Sequence, residues 1–214
     1  MGHGPGAAAY GESRWPMAGA VVAAMVLTVL LPDDLRLAPR WVMPTIEGVL
    51  LVALIAGDPG QISRRSSALR AVSVALISVL ALSTVWSTIQ LIDDLIHGGP
   101  QTSSASMLLQ VGGNVWACTV LVFSLLYFEL DGGGAAARAE RMPVSPDLAF
   151  PQQLNPPVAP PGWRPLFIDY LYLGFTSPRI ASKIRDCTAI ATLAHAARGI
   201  TSVGLKAVAL VKPR

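Results

Sequence analysis

Residues 71–92 carry no charged side chain, and coiled into a helix they rise about 33 Å, enough to cross the roughly 30 Å hydrocarbon core of a bilayer. Residues 107–128 form a second uncharged run of the same length. Two shorter apolar runs precede them: 17–31, and 41–56, interrupted only by Glu47. A soluble core accounts for one such segment, not for four within 130 residues. Charged residues make up 14% of the chain, well under the roughly 25% usual for soluble domains. The expected fold class is therefore all-α, a membrane-spanning bundle of four transmembrane helices.

Breakers mark the ends of these helices. Helix one is expected over 16–31, opening on Pro16, where a missing N–H is harmless, and stopping at Pro32-Asp33-Asp34. Helix two runs from Arg40-Trp41 to Gly57-Asp58-Pro59-Gly60, and helix three from 67 to 96, before His97-Gly98-Gly99-Pro100. Helix four starts near Ser104 and ends at Gly132-Gly133-Gly134. Residues 1–13 are rich in Gly and Ala and expected to be disordered; they carry no secretory-signal pattern, so helix one reads as retained.

Orientation follows the basic residues. With the N-terminus cytoplasmic, Arg14, Arg64, Arg65, Arg70, Arg138 and Arg141 lie inside, against Arg36 and Arg40 outside beside Asp33, Asp34, Asp93 and Asp94. A multi-pass protein of the cell membrane with its N-terminus in the cytoplasm is the expectation. Trp15, Trp41 and Tyr127 fall at the expected interfaces.

The chain divides into a transmembrane domain over 1–131, a Pro-rich linker over 132–165 and a final stretch over 166–214. Pro143, Pro146, Pro151, Pro156, Pro157, Pro160, Pro161 and Pro165 crowd the linker, which is expected to be extended and cytoplasmic, a possible recruiting segment over 143–165 for a protein partner. Residues 167–176 are apolar and aromatic but too short to span, which suits an interfacial or re-entrant piece. Charges interrupt 177–214 too often for a fifth crossing.

Candidate functional residues lie inside the apolar runs. Ser83, Ser87, Gln90, Asp94 and His97, spaced by four and three, share one face of helix three. They form a packing seam of small polar side chains or, alternatively, line an outward-opening cavity. Gln110 and Asn114 lie one turn apart on helix four, placed to pair with Gln90 or Ser87 across the hairpin, or to contact a substrate. Glu47 lies about 9 Å inside Trp41 by helical rise; an intramembrane carboxylate is a proton or ion contact unless it reaches back to water beside Arg40. Glu129 and Asp131 stand at a helix C-terminus, where their charge opposes the dipole, and are expected to pair with Arg64, Arg65 or Arg70.

Other chemistry has no support. The net charge of +3 is scattered at segment ends, which argues against nucleic acid. Cys118 and Cys187 give no disulfide or metal framework, and His3, His97 and His195 are far apart in sequence. There is no phosphate-binding loop, no HExxH, no CxxC and no GxSxG, so neither an enzyme nor a cofactor or metal is expected.

As a set, several motifs resemble a family of uncharacterised multi-pass integral membrane proteins of actinobacteria. They are Leu31-Pro32-Asp33-Asp34-Leu35 leading into Ala38-Pro39-Arg40-Trp41, Tyr127-Phe128-Glu129-Leu130-Asp131-Gly132-Gly133, Phe150-Pro151-Gln152, Trp163-Arg164-Pro165, and Asp169-Tyr170-Leu171-Tyr172 before Phe175-Thr176. The resemblance covers about 14–176 and implies a short aromatic helix, a Thr-rich turn and a last apolar helix, reminiscent of a channel pore loop. Ser177-Pro178-Arg179 departs from that pattern, so the expectation is a C-terminal stretch frameshifted or truncated relative to the family. The resulting functional expectation is a channel- or transporter-like membrane protein, active as a homo-oligomer; the alternative is a non-transporting scaffold or assembly component that recruits partners through its Pro-rich linker.

Overall fold

A computed structural model describes residues 12–59, 61–62, 66–139, 148, 150, 152 and 163–176. The architecture is all-α. Chain order is β1 (Glu12–Ser13), α1 (Trp15–Leu30), α2 (Val42–Gly57), β2 (Gln61–Ile62), α3 (Ser67–His97), α4 (Ala105–Leu130), α5 (Ala135–Ala139) and α6 (Phe167–Thr176). The four long helices start and stop within one or two residues of the breakers read in the sequence.

Local chemistry explains those limits. Pro16 occupies the first turn of α1. At the other end Arg36 reaches back, donating from Nη2 to the carbonyls of Val29 (2.9 Å) and Leu31 and from Nη1 to Asp33. The last carbonyls of α1 thus gain a cationic partner. Gly98, at φ 77°, closes α3 in the left-handed region, its N–H donating to the Asp94 carbonyl at 2.9 Å. A side chain on Gly99 would collide with the Asp94 carboxylate, so the turn into α4 is tight. Ser104 caps α4, its Oγ accepting from the Met107 N–H at 3.2 Å.

The four helices pack as a ring, α1 against α2, α2 against α3, α3 against α4 and α4 against α1. Val21, Ala24, Leu54, Leu76, Leu80 and Leu125 fill its interior. The outside is also apolar: Val22 and Val26 of α1, Val49 and Val52 of α2, Leu82 and Ile89 of α3, and Leu109 and Trp116 of α4 are exposed. Helices apolar on every side, yet buried on one side only, do not fit an aqueous surface. Ser67–His97 and Ala105–Gly133 are long and apolar enough to cross a membrane, and only 28% and 44% of their most apolar windows are buried, unlike the core helix of a soluble protein. At 16 residues each, α1 and α2 rise only about 24 Å.

α6 lies outside the ring against α4. Phe167 and Tyr170 meet the Phe128 ring edge-on, with centroids 5.4 and 5.6 Å apart, and Phe175 meets Trp116 at 5.4 Å. The helix therefore climbs from the end of α4 back towards its middle, its ten residues rising about 15 Å. Gly174 lets the two backbones touch: a Cβ there would collide with Ser124 Oγ and come within 2.9 Å of the Val120 carbonyl.

Two sequence expectations are corrected. Glu12 and Ser13, placed in a disordered tail, form β1 and pair antiparallel with Gln61–Ile62. Tyr127 is buried, its ring centroid 6.0 Å from that of Phe123. The linker is helical over Ala135–Ala139, ahead of its first proline, and Leu148, Phe150 and Trp163 join the core instead of extending away. The expectations for residues 1–11 and 177–214, including the departure from the family pattern, lie outside the described residues.

The contact at Gly174 yields a prediction. Gly174→Val forces α6 off α4, with an overpacking cost of about 1–3 kcal/mol. The thermal unfolding midpoint in detergent should fall and a cysteine introduced at Ser124 should gain reactivity; an unchanged midpoint and an unreactive thiol would refute the packing.

Candidate functional site

Glu47, Leu51 and Leu54 are the buried positions of α2, spaced by four and three, so Glu47 lies on the stripe that faces the bundle interior. Its residue exposure is 0%, and neither carboxylate oxygen has a hydrogen-bond partner. It does not reach back to Arg40, whose guanidinium lies 6.0 Å from the Trp41 ring centroid at the bundle's end. Cys118 of α4 lies within electrostatic range of Glu47, and Thr28 of α1, whose hydroxyl donates to the Ala24 carbonyl at 2.9 Å, lies beside the same thiol. Cys118 also donates weakly to Asn114 Oδ1 at 3.7 Å, and Asn114 Nδ2 donates to the Leu27 carbonyl at 3.1 Å. Three helices thus bring a carboxyl, a thiol, a hydroxyl and an amide together inside an apolar bundle. Unpaired polar groups are costly there, so an unsatisfied carboxylate demands a proton or a cation.

The face of α3 expected to line a cavity mostly does something else. Ser87 Oγ donates to the Leu35 carbonyl at 2.8 Å, tying α3 to the turn after α1, and is within 3.0 Å of the Ser83 carbonyl. Ser83 is buried with its hydroxyl unpaired. Gln90 and Asp94 are half-buried; the Asp94 carbonyl collects the N–H groups of Gly98 and Gly99 and the Thr102 hydroxyl. His97 is exposed and pairs with Asp93 at 3.1 Å, not with Asp94. Gln110 is exposed, and Asn114 turns to α1 instead of pairing with Gln90 or Ser87. The pairing expected across the hairpin fails because α4 packs against α1 as well as α3, and Asn114 lies on the α1 side.

A second polar group sits at the end of the bundle where α4 finishes. Asp131 is buried; Oδ1 accepts from the Leu148 N–H at 2.9 Å and Oδ2 from the Tyr170 hydroxyl. Arg138 donates to the carbonyls of Phe128 (2.8 Å) and Asp131 (2.6 Å) and lies over the Phe128 and Tyr170 rings at 4.8 and 5.2 Å. Glu12 Oε1 accepts from the Phe167 N–H at 2.7 Å while Oε2 faces Arg138 at 3.8 Å. Burial nonetheless pushes the Glu12 carboxyl upwards, outweighing the pull of Arg138 and of that hydrogen bond, and burial pushes the Tyr170 phenol upwards too. Arg14 pairs with Asp58 at 3.1 Å. Ser73 Oγ donates to Glu129 Oε2 at 3.0 Å, and Arg70 acts on Glu129 through its field. The expected partners of Asp131 are thus replaced by Tyr170 and Leu148, while Arg64 and Arg65 lie outside the described residues. One sequence signal was available: Asp131 and Tyr170 both belong to the motifs that carry the family resemblance. Among the described residues no three His, Cys, Asp or Glu side chains stand close enough together to hold a metal ion.

Tyr170→Phe leaves Asp131 Oδ2 buried without its donor, which should cost about 1–3 kcal/mol. Denaturant unfolding in detergent measures it; a variant as stable as the parent would show that this hydrogen bond does not hold α6 in place.

Comparison of the chain with protein-family models, with curated proteins and with solved structures finds no match in any of the three.

Proposed function

We propose that this chain is an integral membrane protein of four crossings that binds a proton or a small cation at Glu47 and acts as a channel- or transporter-like bundle. The observation that carries the reading is the carboxylate itself, fully buried among four helices with no hydrogen-bond partner. A structural glutamate in hydrocarbon is expected to find a donor, whereas a carrier site is left open for its ion. The exposed Val, Leu and Trp side chains on the outer faces of all four helices support a lipid surround.

The short α1 and α2 cross with local thinning of the bilayer or with flanking residues at the interface. Arg14, Arg70 and Arg138 at one end of the bundle, with Asp33, Asp34, Asp93 and Asp94 at the other, support a cytoplasmic N-terminus in the cell membrane. α6 then enters from the cytoplasmic side and ends near the middle of α4, a re-entrant course. Its outer residues Ile168, Tyr172 and Phe175 are exposed and apolar or aromatic, as a lipid-facing or oligomer-facing surface would be.

Reconstitution into liposomes tests the proposal. Proton- or cation-driven flux should appear with the parent chain and fall at least about tenfold in Glu47→Gln, while the unfolding midpoint stays equal or rises, because the amide removes a costly buried charge. Flux unaffected by Glu47→Gln would remove Glu47 from the mechanism. No flux in either form, together with a bound protein partner that depends on residues 143–165, would favour the scaffold reading.

A further inference from the structure

A cavity of about 270 Å³ opens at the base of the bundle, some two turns along α2 from Glu47. Its polar lining is of both signs. Arg14 is 5% exposed and engages Asp58 through Nη2, so its charge is already paired. The guanidinium of Arg70, exposed at the same cavity, makes no hydrogen bond or ion pair among the described residues and acts on Glu129 only through its field. α3 begins in this wall; the Ser66 side chain makes no capping bond, so among the described residues the first amides of a 31-residue helix have no side-chain cap and present the positive end of its dipole. Glu129 lines the same space, one oxygen engaged by Ser73. Met17, Leu54 and Leu69 supply an apolar wall.

A bare anion satisfies the Arg70 guanidinium and the helix terminus but meets the Glu129 carboxylate. A bare amine meets the reverse mismatch. We propose that the cavity binds a phosphoethanolamine group, its phosphate taken by Arg70 and the start of α3, and its ammonium by Glu129. That chemistry reaches the protein in two ways, as the headgroup of phosphatidylethanolamine or as a soluble phosphoethanolamine ester. The apolar wall favours the lipid, because a glycerol backbone and the first methylenes of its chains would lie against it.

Native mass spectrometry of the full chain in detergent, with added phosphatidylethanolamine, phosphatidylglycerol, soluble glycerophosphoethanolamine or inorganic phosphate, tests this. Phosphatidylethanolamine should be retained about tenfold better than phosphatidylglycerol. Arg70→Gln, a change at an exposed position, should lower that retention by a similar factor. Glu129→Gln, which still accepts from Ser73, should abolish the preference and let phosphatidylglycerol bind as well. Glu47→Gln should leave binding unchanged, so failure at the carrier site and failure here read separately. Soluble glycerophosphoethanolamine binding as tightly as the lipid would support the site and assign it to a soluble ester. Equal retention of the two lipids by the parent chain, or a preference untouched by both Arg70→Gln and Glu129→Gln, would overturn it, as would inorganic phosphate binding as tightly as either amine-bearing ligand.

Discussion

Polar groups that leave water must find partners within the protein, and that constraint organises this molecule. Every long element is a helix, which pairs its own N–H and C=O groups before any tertiary contact forms. What a helix cannot satisfy by itself is its ends. Three of the ends are closed by identifiable groups: Arg36 on the carbonyls finishing α1, Gly98 and Gly99 on Asp94 at the end of α3, Ser104 at the start of α4. The same demand explains why Arg138 is drawn to the last carbonyls of α4 although it lies beyond the helix itself.

Where side-chain charge does enter the interior, it gathers at one end. Glu12, Arg14, Asp58, Glu129, Asp131 and Arg138 come from four stretches of the chain, and each is at least half-buried with a named partner. Breaking a buried pair leaves an uncompensated charge, so such a group sets which elements meet as much as how strongly they hold. Tyr170 is the link that matters most for α6. It brings an aromatic surface to Phe128 and Phe150 and a hydroxyl to Asp131, so the short helix gains apolar burial and a polar register at once.

Glu47 stands apart from that group. It has burial as complete as Asp131 and Tyr170 but none of their hydrogen bonds. The polar groups on its side of the bundle, the Cys118 thiol, the Thr28 hydroxyl and the Asn114 amide, are soft or engaged elsewhere, and the carboxylate has no donor. A protein that keeps such a residue keeps a group able to change its charge, and our functional proposal rests on that property.

Much of this was legible in the sequence, for physical reasons that operate locally. Uncharged runs of helical length, with Pro and Gly at their ends, determine where helices begin and stop, because hydrophobicity and backbone freedom are properties of neighbouring residues. Glu47 stood out on the same basis, as a carboxylate inside an apolar run. The partners did not. That Asp131 meets Tyr170 across 39 residues, that Glu12 meets Phe167 across 155, and that Asn114 turns to α1 instead of α3 depend on how helix faces are rotated against one another. Several rotations satisfy the same apolar pattern when every side of a helix is apolar, since the periodicity that normally marks an inner face is then weak. Only the packed bundle, by choosing one rotation for each helix, decided which polar side chains share an interior and which are left without partners, Glu47 among them.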